Sequence, residues 1–161
     1  MPERIRLRPI HARDLPLLLQ IYGSTREIEL ARVAWTVEER AAFLASQFDL
    51  QHRDYQMRFP RGEFHVVQYL EQDIGRLYLD RHGPELRLID IALLPAWRNR
   101  GIGSSILRCL TQECDGGGQA IVLHVEATNP ARALYERCGF EVVADDGLYL
   151  QLRRRPCPMA A

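Results

Sequence analysis

The run Leu93-Leu94-Pro95-Ala96-Trp97-Arg98-Asn99-Arg100-Gly101-Ile102-Gly103-Ser104 decides how the rest of the chain is read. Apolar residues from Leu86 onward lead into it as a strand, and two glycines stand where Ile102, Ile106 and Leu110 open a helix. The first amides of a helix have no partner inside it, and the helix dipole adds partial positive charge there. Glycine removes the Cβ that would hold an anion away from the backbone. Arg98 and Arg100 add charge beside this cradle, so the stretch reads as a phosphate-binding strand, loop and helix. A helix start that needs glycine for packing is the plainer alternative. Two nucleotide motifs do not fit. Ile106 stands where the dinucleotide fingerprint needs its third glycine, and the segment has no lysine for a P-loop.

Upstream, Ile5-Arg6-Leu7-Arg8 alternates as a strand, and Leu15, Leu18, Leu19 and Tyr22 recur at helical spacing. Thr36-Val37-Glu38-Glu39 has the form of a capping box, so a second helix starts there, with Ala41, Leu44, Phe48 and Tyr55 on its apolar stripe. Phe64–Leu70 and Ile74–Leu79 read as a hairpin joined by Glu71-Gln72-Asp73, and Leu86–Leu94 as a further strand. Downstream, Ile121–Val125 is a buried strand, Asn129-Pro130 caps a short helix, and Gly139 ends it. A second hairpin, Val142–Val143 with Leu148–Leu152, closes the chain around Asp145-Asp146-Gly147. This order is not the regular alternation of a doubly wound sheet. It predicts an α/β fold with a mixed sheet and helices on both faces.

The 161 residues predict one domain over 1–152, followed by a flexible tail at 153–161 in which three arginines precede two prolines. Equal numbers of basic and acidic residues, 21 each, argue against a nucleic-acid partner. No stretch has the apolar length of a membrane span, and Met1-Pro2-Glu3-Arg4 lacks a signal core, so the expected location is cytoplasmic. Cys109, Cys114, Cys138 and Cys157 form no CxxC pair and no zinc-like spacing, which favours reduced thiols and no metal.

The sequence resembles the GCN5-related N-acetyltransferase (GNAT) superfamily. The signature Gln/Arg-x-x-Gly-x-Gly/Ala is matched by Arg98-Asn99-Arg100-Gly101-Ile102-Gly103. Leu93-Leu94-Pro95 matches the strand end before it, and Asn129, Ala133, Leu134-Tyr135 and Gly139-Phe140 match the downstream pattern. The resemblance covers about residues 4–152. It implies a mostly antiparallel sheet of about seven strands with about four helices, splayed between strands four and five. It also implies acetyl-CoA as co-substrate. Leu93 and Leu94 would meet the pantetheine arm and thioester through their backbones, residues Arg98 to Ser104 (with Asn99, Arg100, Gly101, Ile102 and Gly103 between) would hold the pyrophosphate, and Asn129 would contact the pantetheine. Tyr135 would be the general acid for the departing thiolate, with side-chain packing as the plainer role. The family's strand-four glutamate is replaced by Arg87, so the base is open among Asp90, Glu126 and His124. Asp90 stands at the opposite parity from Arg87.

For the acceptor, the resemblance points to the loop between the first two helices and to the hairpin after them. Glu27 and Glu29 would attract a cationic amine, Trp35 would form an apolar wall, and Arg76 and Tyr78 would face the pocket. The implied reaction is acetyl transfer to a primary amine in a ternary complex, with a small molecule as the acceptor. A protein N-terminal or lysine acetyltransferase and a non-catalytic acyl-CoA sensor are the alternatives. A homodimer is compatible with such a fold.

Overall fold

The computed structural model describes residues 1–158. Among the described residues seven strands form one sheet in the order β1-β2-β3-β4-β5-β7-β6. They are β1 (Ile5–Pro9), β2 (Glu63–Tyr69), β3 (Gln72–Asp80), β4 (Leu86–Leu93), β5 (Ile121–Glu126), β6 (Glu141–Asp145) and β7 (Tyr149–Arg154). Every neighbouring pair is antiparallel except β4 with β5. The helices are α1 (Leu15–Ser24), α2 (Glu27–Leu30), α3 (Val37–Arg58), α4 (Ile102–Gly116) and α5 (Arg132–Arg137). Among the described residues no helix is long and apolar enough to cross a membrane.

Local chemistry sets most boundaries. The Thr36 hydroxyl accepts from the Glu39 amide at 3.1 Å and caps the start of α3. The hairpin turn is Leu70-Glu71, both left-handed at φ 48° and 72°, so it lies earlier than Glu71-Gln72-Asp73. Gln72 and Asp73 join β3 because Asp73 accepts from Arg8 of β1 and Gln68 of β2, each at 2.9 Å. Asn129 does not cap α5 directly. Its Oδ1 accepts from the Ala131 amide at 2.8 Å, and the helix begins at Arg132. The four-residue α2 was not apparent in the sequence.

Two apolar layers cover the sheet. On one face α4 and α5 pack Ile102, Ile106, Leu107, Leu110 and Tyr135 onto the strands. On the other, Leu18, Ile21 and Tyr22 of α1 and Phe48 of α3 enclose Tyr78. β7 runs through Arg153 and Arg154, so the expected tail starts inside a strand. Arg153 pairs with Glu85 at 2.8 Å and Arg154 with Asp115 at 2.7 Å, so each charge is balanced by an acid from another element. Residues 159–161 of that expected tail lie outside the described residues.

The central feature is where β4 and β5 part. They pair only through Leu86–Ile121, Arg87–Val122 and Leu88–Leu123, and both then continue unpaired with each other. A bulge in β4 sits at the same level. Tyr78 pairs with Asp90 but Leu79 with Leu88, which leaves Ile89 as the extra residue. Side chains alternate faces along a strand, so one extra residue turns Asp90 onto the face of Arg87. The parity separating Asp90 from Arg87 in the sequence therefore does not hold.

Candidate active site

The cradle is built by two left-handed residues, Asn99 (φ 60°) and Gly101 (φ 78°), which turn the chain from a short 3-10 turn at Pro95–Trp97 into α4. The Trp97 amide donates to Leu94 and the Arg98 amide to Pro95, while Ser105 makes the first bond of the helix, to Gly101. The six amides from Asn99 to Ser104 donate to no acceptor among the described residues. Arg98 therefore does not contribute its amide, and its side chain also points elsewhere. Nε donates to the Leu93 carbonyl at 2.9 Å and Nη2 to the Ser24 hydroxyl at 3.0 Å. Arg100 lies over the Trp97 ring, 5.0 Å from its centroid, and supplies the cation at the rim. A Cβ at Gly101 would meet nothing within 4 Å, and one at Gly103 only Leu134 at 4.0 Å, so both backbones are open to a ligand. Beside the turn lies a hollow of about 340 Å³ lined by Arg4, Tyr69, Arg100, Gly101, Ile102 and Ser105. A diphosphate fits this set: six free donors, a helix N-terminus and an arginine.

Next to the cradle, the Leu94 amide donates to the Ile74 carbonyl at 2.8 Å and is consumed by the sheet. Groups along an antiparallel strand alternate in direction, so the amides of Leu93 and Ile91 point away from β3, into the gap. Ile91 replaces Leu94 as a residue with a free edge there. The strand's alternation, invisible until its partner is known, decides this. Asn129 uses Oδ1 for the turn into α5, and its Nδ2 has no acceptor among the described residues. Tyr135 is buried against Phe140, with ring centroids 5.7 Å apart, and its hydroxyl has no partner among the described residues. Burial, then the nearby Asp90 carboxylate, pushes the Tyr135 phenol above its usual range.

The three base candidates differ in what holds them. Asp90, a quarter exposed, is paired with the Nη2 of Arg76, which also donates to Gln51 at 3.0 Å. Glu126 pairs with Arg26 at 2.9 Å. His124 meets Arg87, whose guanidinium donates to Nδ1 at 3.0 Å. That contact assigns the proton to Nε2 and leaves the neutral ring no free lone pair. Burial, then Arg87 and Arg58, also push its pKa down. Of the three, Asp90 is the one whose charge helps to raise the Tyr135 phenol.

On the α1 and α3 side a cleft of about 240 Å³ is lined by Tyr22, Arg26, Glu29, Leu30, Phe43, Gln47, Glu126 and Tyr149. Glu29 is on its wall. Glu27 is on α2 but not on the wall, and Trp35 stands behind it, edge-on to Phe43 at 5.1 Å. Arg76 and Tyr78 do not face the cleft. They are 3% and 1% exposed beneath α3, because Gln51 and Tyr55 cover them. The sequence does not mark Arg26, Tyr22, Phe43 and Tyr149 as acceptor-site residues, since contacts between residues as far apart as 26 and 126 leave no local pattern.

An open sheet whose single parallel pair parts beside unpartnered helix-start amides is the architecture of the N-acetyltransferase fold. The chain belongs to the acetyltransferase (GNAT) domain family, whose pattern matches residues 60–142, just over half of its length. PaiA N-acetyltransferase from Thermoplasma acidophilum, solved in complex with coenzyme A, is similar with a TM-score of 0.68 at 18% identity, over 94% of this chain and 98% of that one. An acetyltransferase from Thermus thermophilus scores 0.65 at 22% identity, over 94% and 96%. The ribosomal-protein-S18-alanine N-acetyltransferase from Escherichia coli scores 0.57 at 21%, over 98% and 96%. At such identities the likeness carries the fold and no substrate. Cysteine-rich protein 2-binding protein from Homo sapiens is 43% identical over 47 residues, 29% of this chain and only 6% of that protein's length.

Proposed function

We propose that the protein transfers an acetyl group from acetyl-CoA to a primary amine on a small molecule, by direct attack in a ternary complex. The observation supporting this most is the set of six free amides, Asn99 to Ser104, beside the parting of β4 and β5. When bound, acetyl-CoA would supply a thioester carbonyl and a thiolate leaving group. The amides of Asn99 to Ser104 and the Arg100 guanidinium would hold the diphosphate, and Asn129 Nδ2 the pantetheine. The Ile91 and Leu93 amides face the gap, where they would donate to the oxygen that gains negative charge.

Proton handling falls to Tyr135 and Asp90. A lysine-like amine costs roughly 4–5 kcal/mol to deprotonate at neutral pH. Asp90, fixed by Arg76, would take that proton directly or through water. As the C–N bond forms and the C–S bond breaks, Tyr135 would give its hydroxyl proton to the sulfur and regain one from solvent or from the nitrogen. Its raised pKa keeps the phenol protonated at neutral pH.

The cleft favours a small acceptor over a peptide. Its volume is about 240 Å³, and the Arg26–Glu126 pair on its wall links the start of α2 to β5 at 2.9 Å. The test is acetyl-CoA-dependent thiol release across amines, amino acids, aminoglycosides and peptides. Turnover with a small amine is expected. Tight acetyl-CoA binding with no acceptor-dependent release would favour a non-catalytic acyl-CoA sensor, and activity confined to peptides would overturn the small-molecule assignment.

A further inference from the structure

Two carboxylates from distant elements converge on one cation in the acceptor cleft. Arg26 Nη1 lies 2.9 Å from Glu126 of β5 and 3.2 Å from Glu29 of α2. The other charged groups on the cleft wall are none among the described residues, so two acids share one guanidinium and one negative charge is left over. A carboxylate-bearing acceptor would bring a third anion to an arginine already doubly paired. A cation would complete the balance. The remaining wall suits an alkyl chain and an ammonium: Phe43 and Tyr149 present ring surface, Leu30 lines the apolar side, and the buried Tyr22 ring carries Arg26 at 5.5 Å from its centroid.

The position along the sheet matters equally. Glu126 is three residues beyond the last β4–β5 pair, roughly 10 Å further along the strand. Asp90 stands two residues beyond Leu88, the last β4 residue paired with β5. A reacting amine at Asp90 and a cation at Glu126 are therefore separate groups on one molecule.

We propose that the acceptor is a linear alkyl diamine: one amine is acetylated beside Asp90 and Tyr135, while the other, as ammonium, binds Glu29 and Glu126. This deepens the acetyltransferase reading and rests on it. Arg26 then acts as the positioning residue that holds the two carboxylates together.

The experiment compares kcat/KM for 1,4-diaminobutane, 1-aminobutane and 4-aminobutanoate with acetyl-CoA. The diamine should exceed the monoamine by about tenfold or more, the scale of one charged contact. Glu126→Gln and Glu29→Gln should each lower the diamine-to-monoamine ratio, with melting temperatures confirming that both variants fold. Equal rates for diamine and monoamine would overturn the proposal, as would a preference for 4-aminobutanoate that Arg26→Ala abolishes. Calorimetry with 1,4-diaminobutane on the CoA-loaded protein supplies an arm independent of turnover. Binding weakened by Glu126→Gln supports the diamine site even if no amine is acetylated, in which case the acetyltransferase reading fails alone. Absence of binding removes the diamine site.

Discussion

Arg98 Nε donates to the carbonyl of Leu93 at 2.9 Å, and the same side chain reaches the Ser24 hydroxyl of α1 at 3.0 Å. The first residue of the glycine signature thus braces the end of β4 against α1, and the anion is left to the backbone that follows. Arg98→Ala should weaken CoA binding about tenfold by loosening the loop, with the free amides intact. Calorimetry on the variant checks this. A loss as complete as that from blocking the cradle would assign Arg98 to the phosphates.

Gly103→Glu should abolish CoA binding, at least 100-fold in Kd, because bulk and negative charge enter the cradle. The fold should survive, since a Cβ at 103 meets only Leu134 at 4.0 Å. Calorimetry and circular dichroism together check this. Unchanged affinity in a folded variant would falsify the phosphate assignment.

Tyr135→Phe should lower kcat by roughly 10²-fold or more, the range of a lost general acid, while CoA affinity stays within a few-fold. Phenylalanine preserves the edge contact with Phe140. Because the folded-state pKa is raised, the phenol remains protonated across neutral pH. The neutral ring's contribution to stability is complete below the unfolded value near 10 and is lost as pH rises beyond it. Steady-state kinetics and alkaline unfolding curves test both halves.

Asp14 accepts a two-pronged pair from Arg8, both contacts at 2.8 Å, and also accepts from the His11 amide at 2.7 Å. Arg8 holds the Asp14 carboxyl down at about 2. That contribution is present above the unfolded value near 3.9 and is lost as pH falls through about 2. Asp14→Asn should cost about 2 kcal/mol at pH 7 in urea unfolding, with a smaller difference at pH 2. An equal difference at both pH values would remove the ion pair from the account.

Ending the chain after Leu152 should cost about 3 kcal/mol, because Arg154 is buried and paired with Asp115, which also accepts from the Cys157 amide. Urea midpoints of the full and shortened chains check this. Equal midpoints would restore the view of residues 153 onward as a loose tail.

The elements that sequence periodicity located are those whose cause is local. Thr36 and Glu39 state where α3 begins, and Gly101 with Gly103 marks the mouth of α4. The features that were not legible depend on a partner strand or helix. The bulge at Ile89 exists only as a mismatch against β3, so the face occupied by Asp90 was misread. The same holds for Leu94, whose amide is spent on Ile74, and for Arg76, whose burial requires Gln51 and Asp90 to come together. Arg153 and Arg154 read as the start of a flexible tail because Glu85 and Asp115, which pair with them, lie far away in the chain.

The most direct test is a nitrogen–proton correlation spectrum of the labelled protein titrated with CoA. Hydrogen bonds from backbone to a diphosphate should shift the Asn99 to Ser104 amide signals more than any comparable stretch, while Arg98, already bonded to Pro95, moves less. Saturable CoA binding that leaves those six signals in place would contradict the cradle and the transferase mechanism built on it.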